Sequence, residues 1–275
     1  MSSPRPTQAM ADYLVEDVED GAWISPAGYE PSRRRLVAAV DNYPGQPDRI
    51  ADVGCGAGEL SAALGDATDA TVVAVDISPA SCRAARNRTD QYGNVEVVCA
   101  DANRPPLHGE QFDIIYAANS VQDTQVPAQT VEHLYTWLRD GGELVVTVPG
   151  EDGMRQMPDD WFQDRSLAAD GETIDVPYMQ PEIPYTDDEG RDGVTATVDG
   201  WGQYVLPRDT ARELFETAGF SVEEEDTLTA DASGIASVGR ILGDRKMKWS
   251  GWLLNKVQHV HDGVGPGVDM YRLRK

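Results

Sequence analysis

Lysine is almost missing from this chain: there are four, Lys246, Lys248, Lys256 and Lys275, so none precedes residue 246. A triphosphate-binding loop needs a lysine directly after its glycines, and that chemistry is excluded from all of the chain before that point. Cysteine is scarce too. Cys55, Cys82 and Cys99 have neither metal-ligand spacing nor an even count for pairing, which suits a reducing compartment. No run of about 18 apolar residues occurs, so no transmembrane helix is expected. The stretch from Met1 to Met10 is polar and proline-bearing, without the apolar centre of a secretory signal, and a cytoplasmic location is the expectation.

What is present is acid. Asp and Glu number 47 against 23 Lys and Arg, for a net charge of -24. Such an excess repels itself in dilute buffer but is screened over about 3 Å at 1 M salt, where hydrated carboxylates also favour solubility. Together with the lysine depletion, this points to the cytosol of a halophilic organism. Net charge is then a poor guide to partners. The exception is the tail, where residues 240–275 hold all four lysines.

A length of 275 residues with 40% apolar content suits one α/β domain with insertions. Its organising stretch is Ile50 to Leu60, an apolar run followed by Gly54, Gly56 and Gly58 and then by a helical pattern. Such a strand–loop–helix places a ligand over the carboxyl end of the strand. The dinucleotide fingerprint G-x-G-x-x-G is not met, because Glu59 stands where its last glycine belongs. What remains is an acid, Asp52, then G-x-G-x-G, a pattern suited to a cationic ligand without phosphate. At this point the chain resembles the class I S-adenosylmethionine-dependent methyltransferases, whose first motif reads as Asp52 to Gly58 does here.

A second strand over Thr71 to Val75 ends on Asp76, 22 residues after Gly54. An acid at that separation and position is placed to accept hydrogen bonds from ribose hydroxyls; the competing role is support of the helix start at Ser78-Pro79. The resemblance implies that Asp76 holds the ribose and that Ile77 lines the adenine. It also implies that Asp101 takes the adenine amino group, that the Ala102 amide meets the ring edge, and that the backbone around Asn119 receives the methionine end. With Asp52, Gly54, Cys55, Gly56 and Gly58, these make up the expected S-adenosyl-L-methionine site. Members of the family often carry a histidine near the position of Gln122, and this chain has none there. No catalytic residue is assigned, and no metal is expected.

The alternation of strands and helices predicts a doubly wound, mostly parallel, seven-stranded α/β sheet of the Rossmann-like methyltransferase type, with its last two strands antiparallel by resemblance. Helices are expected over Tyr29 to Val40, over Ser81 to Arg88, from Pro127 to Arg139 and from Arg208 to Ala218, and a cap at Gly65 for the helix after the glycine loop. Three segments stand outside this plan: an amino-terminal arm or lid (1–28), an inserted acceptor-binding cap (149–207), and an amphipathic insertion before the last strand (230–267). The cap carries Trp161, Tyr178, Tyr185, Trp201 and Tyr204, suited to a small-molecule or lipid-like acceptor. The basic tail, with Trp249 and Trp252 on one helical stripe, suits peripheral membrane contact. Nucleic acid is a less suitable partner, lacking an arginine-rich surface outside the tail. Direct in-line methyl transfer is the function expected; a catalytically silent cofactor-binding regulatory subunit and a tRNA-modifying methyltransferase remain as alternatives.

Overall fold

The computed structural model describes residues 30–104, 109–149, 162–169, 172–179, 183–185, 194–196, 203–228 and 268–275. The arm at 1–28 and the amphipathic insertion at 230–267, with its tryptophan stripe, lie outside them. So do Trp161 and Trp201 of the insertion.

The core is a seven-stranded sheet in the order β11-β12-β5-β4-β1-β2-β3. Its strands are β1 (Arg49–Val53), β2 (Thr71–Asp76), β3 (Val95–Cys99), β4 (Phe112–Ala118), β5 (Leu138–Pro149), β11 (Ser221–Leu228) and β12 (Val268–Arg274). β1, β2, β3, β4 and β5 pair in parallel, while β12 runs antiparallel to both β5 and β11. The expected fold class is therefore the observed one. The chain moves from β1 outward through β2 to β3 and then crosses back to β4 on the other side of β1. That reversal leaves a crevice between the carboxyl ends of β1 and β4, the place where open α/β sheets bind ligands.

Strand composition explains why the sheet is covered twice. β1, β2 and β4 are almost wholly buried, as apolar runs without alternation must be. On one face lie α1 (Glu30–Asp41), α2 (Glu59–Ala67) and α3 (Pro79–Thr89). Leu36, Leu60 and Leu64 from the first two pack on Ile50, Val72 and Tyr116, and Ala85 of α3 packs on Ala74. On the other face α4 (Pro127–Trp137) and α5 (Arg208–Thr217) set Val131, Leu134, Leu214 and Phe215 against Val53, Val73 and Ile115.

The insertion adds a second sheet, antiparallel β6 (Phe162–Ala169), β7 (Glu172–Met179) and β10 (Gln203–Tyr204), with β7 in the middle. A short pair, β8 (Ile183–Tyr185) with β9 (Val194–Ala196), accompanies it. Leu167, Ile174 and Val176 of β6 and β7 are buried in the same core cluster as α4 and α5. This small sheet is a layer of the main body.

Three local expectations shift. Gly65 does not close α2, which continues to Ala67 and is capped at Thr68; a Cβ at Gly65 would lie 2.6 Å from Val95 Cγ2, so the glycine admits the neighbouring strand. The helix from Pro127 stops at Trp137, and β5 begins at Leu138 with a bulge that swings Leu138 to Phe112 and Glu143 to Ile114. The final strand, which the sequence pattern marks only over Tyr271 to Leu273, runs from Val268 to Arg274, because β12 has neighbours on both sides. Among the described residues no helix is long and apolar enough to cross a membrane.

Candidate active site

The glycine loop is held from three directions. Beneath it, the Val75 carbonyl accepts from the amides of Gly54 and Cys55 at 2.7 and 3.1 Å. From the α2 side, Ser61 donates its hydroxyl to Asp52 at 2.5 Å. From α3, Arg88 donates to the Ala57 carbonyl at 2.9 Å and approaches Glu59 at 3.5 Å. Asp52 therefore braces the loop from within the protein, being only 1% exposed. Burial, with the nearby Asp76 charge, pushes its carboxyl up to about 6, against the hydrogen bond from Ser61. Burial also pushes the Cys55 thiol well above its ordinary range.

Two of the glycines are required by close approach. Gly54 has φ 75°, and a Cβ there would stand 2.3 Å from the Ser120 Cβ. The β1 and β4 loops meet there, and Ser120 ties them by donating to the Val53 carbonyl at 2.7 Å. Gly58 has φ 78°, and a Cβ would meet the Ala85 Cα at 2.9 Å, so this position lets α2 start against α3. At Gly56 the Cβ direction is open, with nothing within 4 Å. The outer surface of the loop is thus bare backbone, which a ligand can approach closely.

Asp76 fills both roles that the sequence left open. Its Oδ2 accepts from the Gly56 amide and its Oδ1 from the Ser78 amide, each at 2.9 Å. Ser78 itself caps α3, accepting from the Ala80 and Ser81 amides. A carboxylate at this strand end, with about four acceptor positions, is of the type that accepts from vicinal hydroxyls. Ile77 follows it, half-buried beside the exposed Cys99.

Asp101 is engaged in its own turn, accepting from the Asn103 amide at 2.9 Å. The Ala102 carbonyl meets Nδ1 of His133, on α4, at 2.9 Å. Behind them sits a residue that sequence reasoning missed. Asn103 is buried and donates to the Val126 carbonyl and the Thr130 hydroxyl while accepting from the Gln125 and Val126 amides. It fixes the loop after β3 to the start of α4.

Asn119, at the end of β4, has φ 52°, the one non-glycine left-handed residue among those described. Its amide donates to the carbonyl and hydroxyl of Thr147, both at 3.0 Å. A left-handed residue at a strand end is a strained position of the kind that collects at functional sites, and Asn tolerates it best after Gly. A 3-10 turn, Val121–Asp123, follows directly.

Residues 50–142 match the family model described as a methyltransferase domain. This stretch is a class I S-adenosylmethionine-dependent methyltransferase domain. A malonyl-[acyl-carrier protein] O-methyltransferase from Marinomonas sp. is 27% identical over 118 residues, covering 42% of this chain and 44% of that one. The chain thus spans less than half the length of that relative. In fold, the [4+2]-cyclase SpnF superposes with a TM-score of 0.65 at 15% identity, over 100% of this chain and 98% of that one. A putative methyltransferase solved with the Trm112 methyltransferase activator of Haloferax volcanii superposes at 0.59 and 17% identity, covering 99% of both chains.

The cofactor of this family is S-adenosylmethionine, and the residues of the methyltransferase domain fit it. The bare face at Gly56, the Asp76 carboxylate and the strained Asn119 backbone line one crevice edge, from β2 across β1 to β4. Among the described residues no cluster of His, Cys, Asp and Glu could hold a metal ion.

Proposed function

We propose that the protein transfers the methyl group of S-adenosylmethionine to a small-molecule or lipid-like acceptor by direct in-line displacement. The observation that carries this reading is the meeting of the glycine loop, the Asp76 carboxylate and the left-handed Asn119 at the sheet's topological switch point. Bound there, the sulfonium group supplies an activated methyl and a neutral leaving group. The chain's task is positioning and exclusion of water, which can provide much of the acceleration. Asp76 takes the ribose hydroxyls, Ile77 and the Asp101–Ala102 turn border the base, and the backbone at Asn119 orients the amino-acid end.

The small sheet supports an acceptor role for the insertion. Tyr178 and Tyr204 meet edge to face at 5.1 Å, and the Arg165 guanidinium lies 4.8 Å from the Tyr178 ring. Burial, with Tyr204, raises the Tyr178 phenol, so this ring serves as an apolar wall with a polar tip and not as a base. Incubation with methyl-labelled cofactor and a panel of amines, carboxylic acids, phenols and lipid headgroups tests the proposal. Label in at least one acceptor is expected; its absence from every class, with cofactor bound, would favour a silent binding subunit.

A second reading adds a partner. The neighbour solved with the Trm112 activator covers 99% of this chain, well beyond the domain that ends at residue 142. We infer that this protein, too, works with a small activator subunit. Co-expression with such a subunit should raise yield and activity, and co-purification in high salt should hold the pair together. A chain fully active alone would remove this reading. Peripheral membrane contact through the basic tail stands as a separate proposal, tested by liposome flotation in high salt.

A further inference from the structure

The three cysteines stand far apart in the sequence, yet the fold brings all of them to the segment around Asp76. Cys55 lies in the glycine loop, where its thiol turns to the Gly56 carbonyl at 3.7 Å. Cys82, one turn into α3, is fully buried and donates its thiol to two carbonyls, Asp76 at 3.5 Å and Val98 at 3.8 Å. Cys99, the last residue of β3, is exposed, pairs in register with Asp76 and donates to the Ile77 carbonyl at 3.7 Å. Cys82 and Cys99 therefore hold the successive carbonyls of residues 76 and 77, and Cys82 also holds the carbonyl directly before Cys99. Burial, and then the adjacent Cys99 thiol, push Cys82 up to about 12. A protonated, shielded sulfur thus sits beside an accessible one, and the methyl-transfer reading uses neither.

We propose that Cys99 is an oxidation site for small hydroperoxides and that Cys82 resolves it, giving a Cys82–Cys99 disulfide at the adenosine end of the cofactor site. The Cys99 sulfur attacks the peroxide and the O–O bond breaks. One oxygen stays on sulfur as a sulfenic acid, and the other leaves with the Cys99 proton as water. The Cys82 sulfur then forms the S–S bond while the S–O bond breaks, and the departing hydroxide takes the Cys82 proton as a second water. The two thiols together lose two electrons, and one hydrogen peroxide is reduced to two waters. A disulfide formed and reversed in a reducing compartment belongs to the redox-sensing class.

Forming the bond withdraws the S–H donors from the carbonyls of Asp76, Ile77 and Val98. Asp76 and Ile77 are assigned above to the ribose and the base, so the effect on cofactor binding rests on the methyl-transfer reading, whereas the disulfide itself does not. The experiment treats the complete chain with hydrogen peroxide, followed by peptide mapping without reduction and calorimetry with S-adenosylhomocysteine. Wild type should yield one linked pair, carrying Cys82 and Cys99, about 2 Da lighter than its two peptides together. Cys99→Ser should form no linkage, and Cys82→Ala, lacking the resolving thiol, should gain oxygen at Cys99. Oxidised wild type should bind S-adenosylhomocysteine about tenfold or more weakly than the reduced protein, with dithiothreitol restoring the affinity. Wild type left unlinked by peroxide, or a linkage that includes Cys55, would overturn the pair. A mapped Cys82–Cys99 disulfide with unchanged affinity would overturn its coupling to the cofactor site. Reduced wild type that fails to bind S-adenosylhomocysteine would instead bring down the methyl-transfer reading and leave the disulfide result standing.

Discussion

A methyl group added at Gly54 and one added at Gly56 test different properties of the same loop. Gly54→Ala must displace the Ser120 side chain from 2.3 Å and also hold φ 75°, whereas Gly56→Ala meets nothing and bears only its φ of 51°. Urea denaturation should show a loss of roughly 2–5 kcal/mol for the first and about 1 kcal/mol for the second. Equal losses would mean that the β1 and β4 loops are not in contact. At Asp52 the chemistry is protonic. Its folded pKa of about 6 lies above the ordinary Asp value of 3.8, so the folded state binds the proton more tightly. The stability it confers is complete below the unfolded pKa and falls as pH rises from about 4 to about 6, by on the order of 3 kcal/mol. Asp52→Asn should remove that slope, read as the difference between the two proteins' unfolding free energies from pH 4 to pH 7. A constant difference would place Asp52 in contact with water. Gly54 and Asp76 can be read from motif spacing, and Asn119 only from the family resemblance. Ser61, Asn103, Ser120 and Thr147 can be read from neither, since a serine nine or 67 positions from its partner carries no mark of it.

Elements show the same division. Strand β2 can be read from its apolar run, Thr71 to Val75, and ends one residue later, at Asp76. The end of α4 cannot be, because Arg139 continues the helical pattern yet is drawn into the sheet edge, where it pairs with Asp113 at 2.7 Å. That is a tertiary contact overriding propensity. β12 was underestimated for a related reason. Glu143 of β5, wholly buried, receives both Arg272 and Arg274 of β12 at 2.7 and 2.6 Å. An uncompensated carboxylate would be left behind if both arginines were replaced by alanine. The double variant should lose about 3–5 kcal/mol in denaturant, more than either single change, and a loss under about 1 kcal/mol would show that Glu143 reaches water. The insertion, too rich in Asp, Gly and Pro to read from pattern, proves to share the main core through Leu167, Ile174 and Val176. Limited proteolysis should therefore leave β6 and β7 intact with or without cofactor.

For the whole molecule the governing quantity is a charge of -24 on 275 residues. Self-repulsion of that size is relieved by screening, and melting temperature should climb with KCl from 0.1 M to beyond 1 M; a flat or falling series would mean that the acidic surface is no adaptation to salt. The central claim concerns the ligand of the glycine loop and is best tested there. Calorimetric titration of the complete chain with S-adenosylhomocysteine, NAD and ATP, repeated on Asp76→Asn, gives the measurement. The account predicts that S-adenosylhomocysteine binds at least about tenfold more tightly than either nucleotide, and that Asp76→Asn weakens it about tenfold or more by giving one carboxylate oxygen's acceptor positions to an amide donor. NAD or ATP binding as tightly as S-adenosylhomocysteine, or an Asp76→Asn variant with unchanged affinity, would contradict it.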